Sequence, residues 1–236
     1  MSNYLTLCQK LRELVGISGD GPASVLSQVG MNKKITTWIA DADEWVIRRW
    51  EDWSFMLEPK TIITVAAGTS TYTLNDLSIT DLARWRTTAF VRGPGAADYL
   101  LLESGLVYDD DYLTSEEYLG EAVTGPIEKV FVRSTDDALI FYPTPTVDTT
   151  VWGAYYKAAT RMAANDSESP IPARFESVIL NRAKMFYAEH LEDTVLYQSA
   201  EKDFIRDMHK LESKCAPALD GTQMSHNDVI LDVVVE

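Results

Sequence analysis

The sequence predicts an α+β protein: a helical bundle built from the N- and C-terminal segments, with an antiparallel β domain inserted between them. Three observations predict it. Apolar residues recur every three or four positions near both ends of the chain, which is the helical period. Between about 60 and 158 that period gives way to short β-rich runs punctuated by Gly, Pro, Asn and Asp. The most aromatic helical stretch needs a large partner surface, and the two helical stripes near the C-terminus supply one. The expected units are residues 1–58 and 161–216 for the helical body, 59–160 for the β domain and 217–236 for an extended tail.

The chain opens with a predicted helix at 4–15, where Tyr4, Leu7, Cys8, Leu11 and Val15 share a side. Gly16 ends it, and Gly19, Gly21 and Pro22 mark a turn. Residues 23–29 read as a further helical turn or two that stops at Gly30. A long helix is predicted over 32–57, with Ile35, Trp38, Ile39, Ala42, Trp45, Val46, Trp50 and Trp53 on one face. Glu44 to Arg48 and Arg48 to Asp52 are i,i+4 pairs worth about 0.3 kcal/mol each. Pro59 closes this helix, because the residue before a proline avoids the α region.

The β region follows. Residues 61–66 and 71–74 predict a hairpin across Gly68 to Ser70. Residues 86–92 and 98–103 predict another across Gly93, Pro94 and Gly95. A short helical segment is expected at 114–122. Residues 127–133, 138–142 and 149–157 read as a three-strand meander. The polar, proline-punctuated run 165–172 reads as a linker and helix start. Helices are predicted at 173–193 and 195–215, joined near Thr194 as an antiparallel hairpin or as one bent helix. Pro217 stops the second. The chain then ends in NDVILDVVVE, a β-prone run suited to strand addition.

Composition bounds the function. Apolar content of 46% with 24% charged is that of a globular protein. No apolar run approaches the ~18 residues that would span a bilayer. The first ten residues lack the basic and apolar regions of a secretion signal, so Cys8 and Cys215 are expected as free buried thiols. A net charge of −15 repels phosphate and anionic membranes, which argues against DNA binding through a basic patch and against membrane association.

Catalytic signatures are thin. The histidines are His190, His209 and His226, and no zinc-protease, paired CxxC or nucleophile-elbow motif occurs. Asp109, Asp110 and Asp111 with Glu116 and Glu117 lack the alternation and glycine of a calcium loop, and read as a solvated acidic loop. Arg92 to Gly95 reads as a hairpin turn. Asn165 formally fits a glycosylation acceptor and is read as unmodified. No catalytic residue, cofactor or metal is expected. Trp38, Trp45, Trp50 and Trp53, with Phe204, read as core or as subunit interface. Val229, Ile230, Leu231, Val233 and Val234 read as an interface carried by the tail.

The order of segments resembles something more specific. A short helix, Gly21-Pro22, and a helix running into Trp50, Trp53 and Phe55 resemble the opening of head-to-tail adaptor proteins of tailed bacteriophages. TSTYTL at 69–74, Trp85, FYPTP at 141–145 and SPIPARFESVILNRAKMFYAEH at 169–190 are similar too. The resemblance covers about residues 3–192. It implies a structural virion protein of the neck, assembled in the host cytoplasm. It also implies a ring, typically dodecameric, that docks beneath the portal, extends the DNA channel and receives tail or nozzle proteins, with DNA passing through unbound. Two alternatives are another neck protein, such as a tail terminator or head-closure ring, and a cell-wall hydrolase using acids such as Asp109 or Glu116.

Overall fold

The computed structural model describes residues 2–19, 21–86, 90–92, 106–108, 123–133 and 135–216. Helix α1 (Tyr4–Leu14) starts where the Asn3 side chain accepts from the Thr6 amide at 2.9 Å. That contact satisfies one of the amides a helix start leaves free. The helix buries Tyr4, Leu7, Cys8 and Leu11, the side the spacing predicts. The stretch 23–29 is irregular instead of helical, with Ser27 at φ 55°. Gly30 opens the next helix and does not stop a previous one.

Helix α2 (Gly30–Arg48) ends well short of residue 57. The cause is Trp53. Its Nε1 donates to the Ile47 carbonyl at 3.0 Å, the acceptor that a continuing helix would offer to the residue 51 amide. The indole folds under the helix end and is fully buried, stacked on Phe55 at 5.2 Å. Trp50 and Trp53 therefore lie beyond the helix, and the Arg48–Asp52 pair does not form. Asp52 instead pairs with Arg84 at 2.6 Å, while Glu44 and Arg48 pair at 2.6 Å as the helical spacing requires.

A 3₁₀ turn, Ser54–Met56, hands the chain to strand β1 (Leu57–Val65). Pro59 sits inside β1, at the register shift between Glu58 and Thr61, where the ladder needs no donor from it. Seven further strands follow: β2 (Thr71–Tyr72), β3 (Leu82–Trp85), β4 (Val91–Arg92), β5 (Leu106–Tyr108), β6 (Lys129–Val132), β7 (Leu139–Tyr142) and β8 (Thr149–Lys157). They form two sheets. In one, β8 takes β1 along one edge and β3 and β4 along the other, all antiparallel. The other runs β2-β7-β6-β5, and its β5–β6 pair is parallel.

Two expectations therefore fail. The hairpin of 61–66 with 71–74 is absent, because β1 pairs with β8 and β2 with β7. The chain changes sheets at Gly68, which has φ 78° and donates its amide to Pro145 at 2.8 Å. The meander holds for β6 and β7, but β8 leaves for the other sheet. The strand expected at 98–103 and the helix at 114–122 fall outside the described residues.

Helices α3 (Glu176–Leu191) and α4 (Thr194–Cys215) form an antiparallel hairpin, not one bent helix. Glu192 turns the chain at φ 55°, and Asp193 caps α4 by accepting from the Leu196 amide at 2.9 Å. Asn181 Nδ2 donates to Asp207 Oδ2 across the pair at 3.2 Å. Helix α3 also packs on α2 and on α1.

The apolar residues divide into two clusters. One gathers residues of 4–57 and 156–216, and the other gathers residues between Ile63 and Tyr155. Strand β8 is the seam. Its neighbours Tyr155 and Tyr156 point to opposite faces, one into each cluster. Residues 165–169 are no passive linker. Asn165 Oδ1 accepts from the Val25 amide at 2.6 Å, the Ser167 carbonyl accepts from the Tyr4 amide at 2.8 Å, and Ser169 Oγ donates to Asp43 Oδ1 at 2.5 Å. The possible glycosylation site is thus an internal clamp.

Trp53 fixes both the end of α2 and the packing beneath it. Trp53→Ala should lower unfolding stability by about 3–5 kcal/mol in denaturant titrations. A loss under 1 kcal/mol would show that the helix ends there for another reason.

Candidate docking surface

The side chains that α2 presents to the α3–α4 hairpin are large and only partly enclosed. Trp38 and Trp45 stand two turns apart on α2. Trp38 meets Tyr187 edge-on at 5.9 Å and His190 at 5.7 Å. Lys34 Nζ donates to His190 Nε2 at 2.9 Å, which accounts for that histidine as a surface group. Trp45 meets Phe204 edge-on at 5.5 Å and keeps 37% of its surface exposed. Edge-to-face packing of this kind adds about 0.5–1.5 kcal/mol per pair beyond area burial.

Arg182 lies among these rings. Its guanidinium carbon is 4.6 Å from the Trp45 centroid, 4.7 Å from Phe186 and 5.9 Å from Phe204. Arg49 lies 5.9 Å from Trp45 as well, but it also donates to Glu212 Oε1 at 2.7 Å. Trp50 Nε1 shares that acceptor at 3.2 Å. Further apolar side chains stand exposed on the hairpin: Leu191, Val195 and Ile205.

The predicted interface residues thus separate. Trp38, Trp45 and Trp50 reach the surface in part. Trp53 does not, since it is sealed in the core and has nothing left to offer a neighbour. Phe204 is buried beneath Trp45 and supports it from below. Val229, Ile230, Leu231, Val233 and Val234 lie outside the described residues, as do Asp109 and Glu116.

Two functional-looking groups escaped the pattern reading. Arg182 interrupts an apolar stripe of Val178, Ile179, Met185 and Phe186, and a charge in such a stripe was the available signal. Asp43 likewise sits on the buried face of α2. One of its oxygens accepts from Ser169 and the other has no partner among the described residues. Burial pushes its carboxyl up to about 6, opposed by the Ser169 hydroxyl and reinforced by the charge of Glu44. Cys8 and Cys215 are free and buried, as composition suggests. Burial raises the Cys8 thiol to about 12, so it is not an activated nucleophile. Among the described residues no group of His, Cys, Asp and Glu could hold a metal ion, and no helix is long and apolar enough to cross a membrane.

A family model described as SU10 adaptor protein matches residues 2–225. The chain belongs to the SU10 adaptor protein family. This is a family of phage head-to-tail adaptors, so the protein is a structural component of a bacteriophage virion neck, and the family implies association with portal and tail proteins. No curated protein matches the chain. In this adaptor the cluster of aromatic rings and arginine spans α2, α3 and α4 and is partly exposed.

Asp43 gives the adaptor a defined pH response. Its folded-state value lies above the ordinary 3.8, so its contribution is intact below about pH 4 and is lost as pH rises through about 6. Asp43→Asn removes the titration. The variant should gain roughly 2 kcal/mol on wild type between pH 4 and pH 7.5 in paired denaturant melts. A difference that stays constant with pH would contradict the raised carboxyl.

Proposed function

We propose that this protein closes into a ring beneath the portal, where copies meet through the α2, α3 and α4 surface, extend the DNA channel and present a docking face to tail or nozzle components. The observation that carries this reading is the family match across residues 2–225, nearly the whole chain. Exposed Trp45, Leu191, Val195 and Ile205 support it, since a closed head-to-tail ring sets two different patches of each copy against its neighbours. The two apolar clusters are read as a helical body and an inserted β domain, with boundaries near residues 58 and 160. The tail residues Val229 to Val234 serve as a second contact, reaching a neighbouring copy or the portal.

Part of the net charge of −15 lines the channel in this reading. A negative wall makes few phosphate contacts, and phosphate contacts dominate DNA affinity, so DNA slides without sticking.

The test is mass measurement and electron microscopy of the protein with and without its portal. With portal, a single closed ring is expected, dodecameric by symmetry with the family's usual assembly. A chain that stays solitary in the presence of portal and tail components overturns the ring. A ring whose lumen is basic or neutral removes the electrostatic part alone.

A further inference from the structure

Arg182 is held as a binding group is held. Three rings surround its guanidinium, which fixes the plane of the fork and keeps it partly dry. Its polar contact is a weak one, Nη1 to the Met185 thioether at 3.8 Å. Nε is buried with no hydrogen-bond partner, and no carboxylate among the described residues pairs with it. Acids are not scarce, for the chain carries 36 of them against 21 basic residues. A half-buried guanidinium left without a carboxylate in so acidic a chain has a strong charge-assisted contact still to make. The exposed edge of Trp45 beside it favours an acid carried on apolar chain.

We propose that this box binds the acidic C-terminal segment of the same chain, residues 228–236, while the protein is free. The proposal rests on the tail being a docking segment, and it names the surface that receives it. Asp228, Asp232 and Glu236 recur every fourth residue, Val229, Ile230, Leu231, Val233, Val234 and Val235 lie between them, and no basic residue intervenes. The charges are complementary and the flanks match the aromatic walls. The reach is sufficient. Helix α4 carries the chain from Phe204 to Cys215, about 16 Å at the helical rise. Residues 217–236 then extend up to about 66 Å. Tethering gives such a segment a millimolar effective concentration at its own box, which favours it over the tail of another copy at ordinary dilution.

The test uses the full chain, free of portal, with Val233 replaced by a benzophenone photo-crosslinking amino acid. Equal parts of ¹⁵N-labelled and unlabelled protein are mixed, irradiated, digested and read by mass spectrometry. Crosslinks are expected on peptides carrying Trp45, Arg182 or Phe204, and between peptides of the same isotope. Arg182→Gln should cut their yield about tenfold, the scale of one charge-assisted hydrogen bond. Arg182→Lys should fall between the two, since it keeps the charge and loses the flat fork. Combined Asp228→Asn, Asp232→Asn and Glu236→Gln should give the same loss as Arg182→Gln without touching the helices. Crosslinks placed elsewhere, mixed-isotope pairs, or a yield unmoved by the tail substitutions would each overturn the proposal. Because the free chain is used, this result is independent of ring formation, which is read separately with portal.

Discussion

The structure depends on the two ends of the chain being buried in one another. Residues of 4–57 and of 156–216 share one apolar cluster that encloses Leu7, Leu11, Ile35, Ile39, Trp53, Ile171, Ile179 and Leu211. Closing the intervening loop of about a hundred residues costs only about 4 kcal/mol, because the penalty grows with the logarithm of length. Two or three large side chains, at roughly 2 kcal/mol each, offset it. Once the ends meet, the middle of the chain must leave and return at neighbouring points. Strands β1 and β8 are that exit and return, and opposite travel makes them antiparallel from Leu57–Tyr156 to Val65–Thr149. The clamp at 165–169 then fixes the angle of entry against α1 and α2.

That closure also leaves a half-exposed aromatic face. Helix α2 is gripped from the N-terminal side by α1 and from the C-terminal side by α3. Its Trp38 and Trp45 are thereby held half out of the core. Arg49 to Glu212 ties the end of α2 to α4, and Arg161, in the loop after β8, pairs with Asp41 and Glu44 of α2, all at 2.6–2.8 Å. These exposed pairs add little to stability individually, yet they restrict how the helices slide. Helix α4 delivers the C-terminal segment from the same body.

Much of this was legible in the sequence, and the failures are local. The stripes of α1, α2, α3 and α4 could be read because each helix buries one continuous face. The end of α2 could not, because Trp53 satisfies the helical spacing while bonding back to Ile47. Most strands in 57–157 are visible in the sequence, β3 and β5 are not, and of the pairings only β6 with β7 is. Short runs such as Thr71–Tyr72 fit many partners, and only the tertiary closure sends β1 to β8. Spacing singles out the tryptophans but not which of them reach the surface, for Trp53 shares the stripe and is buried. Arg182 and Asp43 were passed over because a pattern of apolar residues treats an interrupting charge as noise. The family resemblance drawn from residues 3–192 agrees with the match to residues 2–225, since it rested on the order of segments, which survives errors in pairing.

The N- and C-terminal helices share one apolar cluster and should behave as one cooperative body. Native-state hydrogen exchange of the intact chain tests this most directly. Amides in the middles of α1, α2, α3 and α4 should open with one common free energy and respond together to low denaturant. Exchange in which α1 and α2 open at a free energy well below that of α3 and α4 would show two independent ends, and would contradict the account.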